Sequence, residues 1–372
     1  MRVKVERKSL QSALKKLLKT ADYKGDIPVL SCVLLEAGKG TATLTTTSLE
    51  VTGRVELPAK LEGDGSLLLP IKKLERIISR TKSKQVALEV EKEKEDGVRQ
   101  IIVDTGKTVF TLEEPFPTEE FPEIDKSFKP LLSIGSEVFN SIIRKLSSFT
   151  YKDQGRGTLT FIKLEATKDV LYFVATDGHV LGWYRVEWEE PPEREFHLLI
   201  HRKAFPLIRQ FTANSNSVEI GVNDENDGVL RAGNNYLLWR QEESEYPDWK
   251  AVIPESHLYR ATFCRNSVLE AVGELIVIFD RRDFPAGRFS FSPEGLLITA
   301  TNGKEKATSK LSINYSSESH QQLGFNLEDI TTVLKSFSAE TIDIQFSSSR
   351  SPAMFSSSEE PEFKVLMMPI EV

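Results

Sequence analysis

The chain opens with apolar and polar residues in two successive periodicities. RVKVE alternates as a half-buried strand does, and RKSLQSALKKLLKTA then spaces apolar residues three and four apart, as an amphipathic helix does. Farther on, LLLPIKKLERIISRTKSKQVALEV (residues 67–90) predicts a strand, a second helix of about ten to twelve residues, a polar break and a strand. The remaining apolar runs are short and separated by polar turns, which predicts further strands.

This succession occurs three times along the chain. The segments LLSIGSEVFNSIIRKLSSFT and YRATFCRNSVLEAVGELIVI repeat the pattern of RVKVERKSLQSALKKLLKTA, each with a polar residue able to cap the helix. We therefore predict an α+β fold of three tandem copies of one domain, each with two helices packed on antiparallel sheets of roughly eight strands. Three landmarks recur at steps of 125 to 131 residues: Thr47, Thr176 and Thr301; Leu69, Ile200 and Phe325; and Phe121-Pro122-Glu123 with Tyr246-Pro247-Asp248.

Proline-rich segments mark the ends of the first two copies. One surrounds residues 121–129, and the other spans Pro247–Pro254. Proline ends strand pairing without requiring a long flexible linker. We predict domains at residues 1–125, 126–253 and 254–372.

The stretch YFVATDGHVLGWYRV (residues 172–186) contains either a catalytic pair or a turn. Asp177 and His179 are residue types that general acid/base catalysis uses. However, the aligned residues of the other copies read Ser48-Leu49-Glu50 and Asn302-Gly303-Lys304, and Asp-Gly and Asn-Gly tolerate the positive φ of hairpin turns. The pattern favours a structural turn and leaves the role of His179 open.

The composition is typical of globular proteins, since 40% of the 372 residues are hydrophobic and 28% are charged. No apolar run approaches the roughly 18–20 residues that span a bilayer, and the first residues predict a strand and not a secretory signal. Cys32 and Cys264 lie far apart, which argues against a disulfide framework and a cysteine zinc site. We expect a cytoplasmic protein.

Charge is sorted between the predicted helices and the rest of the chain. Residues 6–19, 71–84, 136–152 and 201–210 carry +4, +5, +2 and +3, whereas residues 265–288 are neutral and residues 327–340 carry −2. These segments total +12 in a chain of net charge −7, so the other residues carry −19. The alternative is that lysine and arginine merely occupy the solvent-exposed faces of the helices. However, glutamate forms helices equally well and is scarce on the first four predicted helices. Few aromatic residues interleave, which favours contacts with a phosphate backbone over base stacking.

Sequence patterns of catalysis are absent. The chain lacks a Walker loop, a dinucleotide glycine fingerprint, GxSxG and HExxH, and its five histidines lack metal-ligand spacing. We predict no catalytic residue, no metal and no cofactor.

The triple repeat, ATDGH in the middle copy, YPDW followed by VIP at its end, and the final MMPIEV together resemble the β sliding clamp family of bacterial DNA polymerase III. The resemblance covers the whole chain. It implies a processivity factor that forms a head-to-tail dimeric ring of clamp-type domains around double-stranded DNA, with the helices lining the hole. DNA would be held by enclosure and backbone contacts, without sequence readout.

On this resemblance, basic residues of helices and loops would face the DNA backbone. The loop members are Lys24, Lys152 and Arg156. The full predicted set is Lys15, Lys19, Lys24, Lys72, Lys73, Arg76, Arg80, Arg144, Lys145, Lys152, Arg156, Arg202, Lys203 and Arg209.

The resemblance also implies a hydrophobic groove for linear motifs of the DNA polymerase III catalytic subunit, the clamp loader and repair proteins. A methionine and several aliphatic residues suit a groove that accepts varied peptides. Val180 and Glu371 stand where the family usually has basic residues, so the polar edge of the groove departs from the family pattern. The predicted groove residues are Leu159, Thr176, Gly178, His179, Val180, Leu181, Pro247, Val252, Pro352, Leu366, Met368, Pro369 and Ile370.

The dimer contact would involve the strand VFTL (residues 109–112). Phe110 and Leu112 would meet Ile278 and Phe279 at the end of the third domain's first helix in the other chain. An exposed edge strand with apolar residues also needs a cover on physical grounds.

Two other functions remain open from the sequence. One is a repeat-built adaptor that binds peptides without encircling DNA, which a monomeric protein would favour over the ring. The other is an acid/base enzyme, which would lose its activity in His179→Ala without losing peptide binding.

Overall fold

A computed structural model describes residues 1–90, 99–152, 154–187, 192, 194–242, 244–280 and 282–372, with the backbone alone at residues 154–156. The described residues contain six α-helices and 25 strands, and the sheets are antiparallel. The prediction of an α+β fold with two helices and about eight strands per repeat is confirmed.

The first repeat contains β1 (Arg2–Glu6), α1 (Arg7–Leu17), β2 (Cys32–Gly38), β3 (Thr41–Thr47), β4 (Val51–Glu62), β5 (Gly65–Pro70), α2 (Ile71–Arg80), β6 (Gln85–Val90), β7 (Gln100–Asp104) and β8 (Val109–Glu113). The second contains β9 (Lys129–Gly135), α3 (Ser136–Leu146), β10 (Ile162–Ala166), β11 (Val170–Thr176), β12 (Val180–Glu187), β13 (Phe196–Ile200), α4 (Phe205–Phe211), β14 (Ser217–Val222), β15 (Gly228–Ala232) and β16 (Asn235–Trp239). The third contains β17 (Tyr259–Cys264), α5 (Arg265–Leu275), β18 (Ala286–Ser292), β19 (Gly295–Thr301), β20 (Lys306–Leu311), β21 (Asn314–Tyr315), β22 (Gln321–Asn326), α6 (Leu327–Ser336), β23 (Thr341–Phe346), β24 (Ala353–Ser356) and β25 (Phe363–Met367).

The chain divides into two compact units that do not follow the repeats. The first unit comprises residues 1–140 and 203–241, and the second comprises residues 141–202 and 242–372. Strands of consecutive repeats hydrogen-bond within each unit, because β4 pairs with β16 in the first and β12 pairs with β25 in the second. These pairings place strands of neighbouring repeats in one continuous sheet in each unit.

In the first unit a single sheet runs β8-β7-β6-β1-β4-β16-β15-β14-β9, and β4 also pairs with β3, which leads to β2 and β5. Helix α1 packs against β4 and α2. Its buried residues Leu10, Ala13, Leu14 and Leu17 recur at helical spacing. Burying each of the leucines contributes about 1.5–3 kcal/mol, so this apolar stripe holds the helix on the sheet.

In the second unit a nine-stranded sheet runs β13-β10-β11-β12-β25-β24-β23-β17-β21, and a four-stranded sheet runs β20-β19-β18-β22. Helix α5 packs against α6 and against β17, β19 and β20. The edge strand β20 exposes alternate residues, and its other residues face α5.

The repeat is regular in its turns as well as in its helices. Helices α1, α3 and α5 each have eleven residues and begin 129 residues apart. The turns after the three aligned threonines each contain a residue with positive φ, namely Leu49 (69°), Gly178 (94°) and Gly303 (90°). The landmarks in the sequence therefore correspond to equivalent positions in the structure.

The helices are shorter than the sequence pattern predicts. The segment predicted at 265–288 ends at Leu275 and continues as a 3-10 turn over Ile276–Ile278, and the segment predicted at 201–210 begins with a 3-10 turn over Arg202–Ala204. The segment predicted at 136–152 stops at Leu146, where Ser148 Oγ donates to the Lys145 carbonyl at 3.0 Å. Serine hydroxyls compete for backbone carbonyls in this way and favour helix ends.

Candidate functional site

The exposed side chains of the helices in the first unit are predominantly basic. Lys15 lies near the end of α1, and Arg80 ends α2. Since α1 packs against both α2 and α4, neighbouring helices present like charges to solvent. Such a layer attracts a phosphate backbone. The exposed members of the predicted set in this unit are Lys15, Lys19, Lys24, Lys72, Lys73, Arg76, Arg80, Lys203 and Arg209.

The positive charge is not confined to the helices. Within their observed bounds the six helices carry +7 instead of the predicted +12. Lys19 follows α1, Lys82 and Lys84 follow α2, and Lys152 lies beyond α3. The segments that follow the helices therefore carry part of the basic surface.

Lys145 is a correction to the predicted DNA-facing set. Its side chain is only 4% exposed, and its ammonium donates to the Glu360 carboxylate at 2.9 Å and to the Ser336 carbonyl at 3.0 Å. The same ammonium lies 4.7 Å from the centre of the Phe363 ring. The prediction that Lys145 contacts DNA is wrong, because its charge is buried and already neutralised.

Two further members of the set are engaged in structural contacts. Arg202 is half-buried and donates to the Tyr151 carbonyl at 2.9 Å and to Thr150 Oγ1 at 3.3 Å. Lys203 forms an ion pair with Glu50. Arg144 and Lys152 are exposed, whereas the side chain of Arg156 lies outside the described residues.

The turn between β11 and β12 has a structural explanation. Asp177 Oδ1 accepts hydrogen bonds from the backbone N–H groups of His179 at 2.9 Å and Val180 at 2.8 Å. In the third repeat, Asn302 Oδ1 likewise accepts from Lys304 and Glu305. A side chain that caps the same turn in two repeats serves the fold, which favours the turn over an acid/base pair.

The floor of the predicted groove is built by strand pairing in the second unit. Leu181 on β12 lies opposite Leu366 on β25, and both pack with Val174, Trp183 and Trp249. Val180 is a correction to the predicted set, because successive strand residues face opposite sides of a sheet. It is 3% exposed and lies on the other face of β12 from Leu181.

The linker between the second and third repeats packs beside the floor of the predicted groove. Tyr246, Trp249 and Ile253 pack on the floor, while Pro247 and Val252 remain exposed. The large side chains face the sheet and leave the proline and valine on the solvent side. The linker residues Tyr246, Trp249 and Ile253 and the floor residues Val174 and Trp183 are absent from the predicted set; the YPDW tetrapeptide and the tryptophan on β12 were their only signals in the sequence.

Glu165 on β10 anchors this linker. Its carboxylate accepts from Lys250 Nζ at 2.6 Å, Trp249 Nε1 at 3.1 Å and Lys163 Nζ at 2.7 Å. Burial alone would raise the pKa of Glu165, but the hydrogen bonds from these three partners outweigh it and lower the pKa to about 2. The carboxylate therefore holds the linker on the sheet in its charged form.

The substitution Glu165→Gln is expected to lower the free energy of unfolding by about 1.5–3 kcal/mol, because hydrogen bonds to a charged group are lost. Since the folded pKa lies below the ordinary value of 4.5, the wild-type contribution is complete above pH 4.5 and is lost as the pH falls toward 2. Urea titrations at pH 7 and pH 3 measure both effects, with Glu318→Gln at an exposed position as control. Equal stability of the two variants at pH 7 would contradict the anchoring role.

The last residues are bonded to the turn after β11 and to β22. Met368 N donates to the His179 carbonyl at 3.0 Å, and Ile370 N donates to the Gly324 carbonyl at 2.9 Å. A Cβ on Gly324 would lie 2.3 Å from the Ile370 carbonyl oxygen, so this close approach requires glycine. Met368 is 41% exposed. Pro369 and Ile370 are half-buried beside it.

Charged groups of both signs lie around the turn between β11 and β12. Burial raises the pKa of Asp329, and the charge of Asp177 raises it further, whereas His179 and Lys152 lower it. These four groups therefore lie close enough to interact at the turn. Leu159, in the 3-10 segment Gln154–Thr160, and Pro352, before β24, are both half-buried.

The predicted subunit-contact residues lie on free surfaces of their units. Strand β8 is an edge of its sheet, with Phe110 and Leu112 half-buried and Val109 61% exposed. Ile278 and Phe279 follow α5 and are half-buried. Beside β8, residues of α2, β8 and the β7–β8 loop line a groove of about 1220 Å³ with many basic side chains.

Among the described residues, no cluster of three or more histidine, cysteine, aspartate or glutamate side chains is arranged to hold a metal ion. No helix in the described ranges has the length and apolar character needed to cross a bilayer.

Three family profiles match the chain in succession. They are the N-terminal domain of the DNA polymerase III beta subunit at residues 1–125, its central domain at residues 133–248 and its C-terminal domain at residues 250–371. The matches cover nearly the whole chain in the order of the three repeats.

Two relatives of similar length share the name Beta sliding clamp. The Beta sliding clamp of Synechococcus elongatus is 25% identical over 380 residues, with 100% of both chains covered. The Beta sliding clamp of Rickettsia bellii is 25% identical over 395 residues, again with 100% of both chains covered.

Solved structures of the same fold also match over their full length. The DNA polymerase III subunit beta of Pseudomonas aeruginosa superposes with a TM-score of 0.92 at 21% identity, and 100% of both chains is covered. The sliding clamp of Bacillus subtilis gives 0.91 at 17% identity, covering 100% of this chain and 99% of that chain. A Pseudomonas aeruginosa clamp bound to griselimycin gives 0.90 at 22% identity, with 100% of both chains covered. With three domain profiles matched in order, the chain belongs to the DNA polymerase III beta subunit family.

Proposed function

We propose that this chain is a DNA sliding clamp: two copies join head to tail in a closed ring around duplex DNA and tether the replicative polymerase. Membership of the DNA polymerase III beta subunit family and the relatives named Beta sliding clamp support this function. The protein would act in the cytoplasm without catalysing a reaction. Its domains would comprise residues 1–125, 126–253 and 254–372.

The main observation in support of the ring is that the same type of strand pairing joins each repeat to the next. Strand β4 of the first repeat pairs with β16 of the second, and β12 of the second pairs with β25 of the third. Their equivalents, β20 in the third repeat and β8 in the first, are both sheet edges among the described strands. A second chain completes the pattern when its β8 pairs with β20, and the same contact on the other side closes the ring.

Side-chain positions support this pairing. Carrying the β4–β16 register over to β20 and β8 places Leu112 opposite Ala307 and Phe110 opposite Ser309. Ala307 and Ser309 are the β20 residues that face α5, so both pairs lie on the helix side of the joined sheet. Ile278 and Phe279 would cover Phe110 and Leu112 from that side.

The basic helices would meet the DNA backbone. A ring that slides needs attraction without strong preferred positions, and lysine and arginine contacts to phosphates supply attraction that is independent of sequence. The proposed set is the exposed residues of the predicted set, without Lys145 and Arg202. Lys203 belongs to it only in part, because Glu50 offsets its charge.

The groove of the second unit would bind linear motifs of the polymerase catalytic subunit, the clamp loader and repair proteins. A buried apolar floor with an exposed methionine at its wall suits peptides that insert aliphatic or aromatic anchors. Leu181, Leu366, Val252 and Met368 would contact the anchors. His179 would contribute a polar group at the rim.

Retention on DNA of different topology tests the proposal. After loading by the clamp loader of the same organism, the protein is expected to stay on nicked circular DNA through gel filtration and to leave the same DNA after linearisation. A ring slides off free ends, whereas a site-bound protein does not. Equal retention on both forms would contradict enclosure and favour the adaptor function.

A further inference from the structure

A lysine occupies the same helix position in the first two repeats and reaches the following repeat. Lys16 is the tenth residue of α1, and its ammonium donates to Asn235 Oδ1 on β16 at 2.9 Å. Lys145 is the tenth residue of α3, and its ammonium donates to the Ser336 carbonyl, at the end of α6, and to the Glu360 carboxylate. Each lysine thus fastens one repeat to the next within its unit.

The third repeat has the opposite charge at this position. Glu274 is the tenth residue of α5 and is exposed, and it forms no ion pair among the described residues. In the proposed head-to-tail ring, the repeat next to the third one is the first repeat of the partner, so the equivalent contact falls across the junction between subunits.

The repeat identifies the position that Glu274 would approach. Lys145 donates to the backbone carbonyl of Ser336, the last residue of α6, and the equivalent last residue of α2 is Arg80, whose guanidinium is exposed there. Arg80 lines the groove beside β8 together with Lys72, Arg76 and Lys82. A lysine at position 274 would be repelled by this cluster, whereas a glutamate is attracted to it.

We propose that Glu274 forms an ion pair with Arg80 of the partner subunit and that this reversed charge specifies the subunit junction. The proposal rests on the head-to-tail ring proposed above. It assigns to Glu274 the fastening role that Lys16 and Lys145 have within the chain. In the ring, Arg80 would then belong to the DNA-facing set only in part, because Glu274 offsets its charge. The opposite charges of Glu274 and Arg80 would also favour this junction over other pairings of the same edge strands, because an interface that brings like charges together is destabilised.

A charge-swap cycle tests the pairing. Glu274→Arg and Arg80→Glu are each expected to raise the dimer dissociation constant roughly 10- to 100-fold, and the double variant is expected to recover most of the loss. Sedimentation equilibrium without DNA measures the constant in 50 mM and 500 mM NaCl, and the effect is expected to shrink at high salt. Glu270→Arg, one turn earlier on an exposed position of α5, is the matched control.

The possible outcomes separate the two proposals. A wild-type protein that remains monomeric would overturn the proposed ring. A wild-type dimer whose dissociation constant changes equally in Glu274→Arg and Glu270→Arg, or a double variant no better than the single ones, would overturn the ion pair alone. Recovery in the double variant also excludes misfolding as the cause of the single effects.

Discussion

The double variant Phe110→Asp, Ile278→Asp is expected to be a folded monomer that no longer remains on circular DNA. Phe110 lies on the free edge strand β8, and Ile278 lies in the turn after α5. Both side chains are half-buried in the single chain, so aspartate at either position is expected to lower the free energy of unfolding of the monomer only slightly. At the subunit junction, an unpaired carboxylate that becomes buried costs about 3–5 kcal/mol.

Two such carboxylates are expected to raise the dimer dissociation constant about 10⁴-fold or more. Sedimentation velocity at micromolar concentration gives the mass, and circular dichroism reports the fold. The matched control is Val138→Asp with Leu297→Asp, two exposed apolar residues elsewhere on the chain. The proposed junction is misplaced if the Phe110, Ile278 variant still sediments as a dimer.

Deletion of Met368–Val372 is expected to reduce binding of a polymerase-derived peptide at least about 100-fold and to leave the dimer intact. Strand β25 ends at Met367, so its pairing with β12 survives the deletion. The deletion removes Met368 and the segment bonded to the His179 and Gly324 carbonyls, and with them one wall of the proposed groove.

Fluorescence anisotropy with a labelled peptide from the C-terminal region of the polymerase catalytic subunit measures this loss. A shorter deletion, Glu371–Val372, leaves Met368 and the Ile370–Gly324 hydrogen bond in place and is expected to bind nearly normally. Normal binding by the longer deletion would show that the peptide occupies another surface. A monomeric deletion variant would instead show that the last residues support the fold.

The repeats could be predicted because the same local sequence patterns occur three times along the chain. The turns at Thr47, Thr176 and Thr301 each need a residue with positive φ, and the amphipathic spacing of α1 recurs in α3 and α5. Local patterns of this kind depend on neighbours in sequence. They therefore identify the elements and their order without knowledge of tertiary contacts.

The helix bounds and the state of individual charges could not be predicted in this way. Lys145 and Arg144 are adjacent basic residues on α3, yet Arg144 is exposed and Lys145 is buried against Glu360, more than two hundred residues away. The position of the linker depends likewise on Glu165, whose partners Trp249 and Lys250 lie more than eighty residues away in the sequence. Such pairs arise only when the sheet brings distant segments together.

The sequence by itself determined the three repeats, the alternation of strands and helices, the structural turn at Asp177 and the concentration of positive charge in and after the helices. Only the tertiary structure decided which of those charges remain available, which described strands lie at sheet edges and which side chains pack beneath the predicted groove residues. The physical reason is that periodicity and turn chemistry act over a few residues, whereas burial, ion pairing and strand partnership depend on segments that meet only in the folded chain.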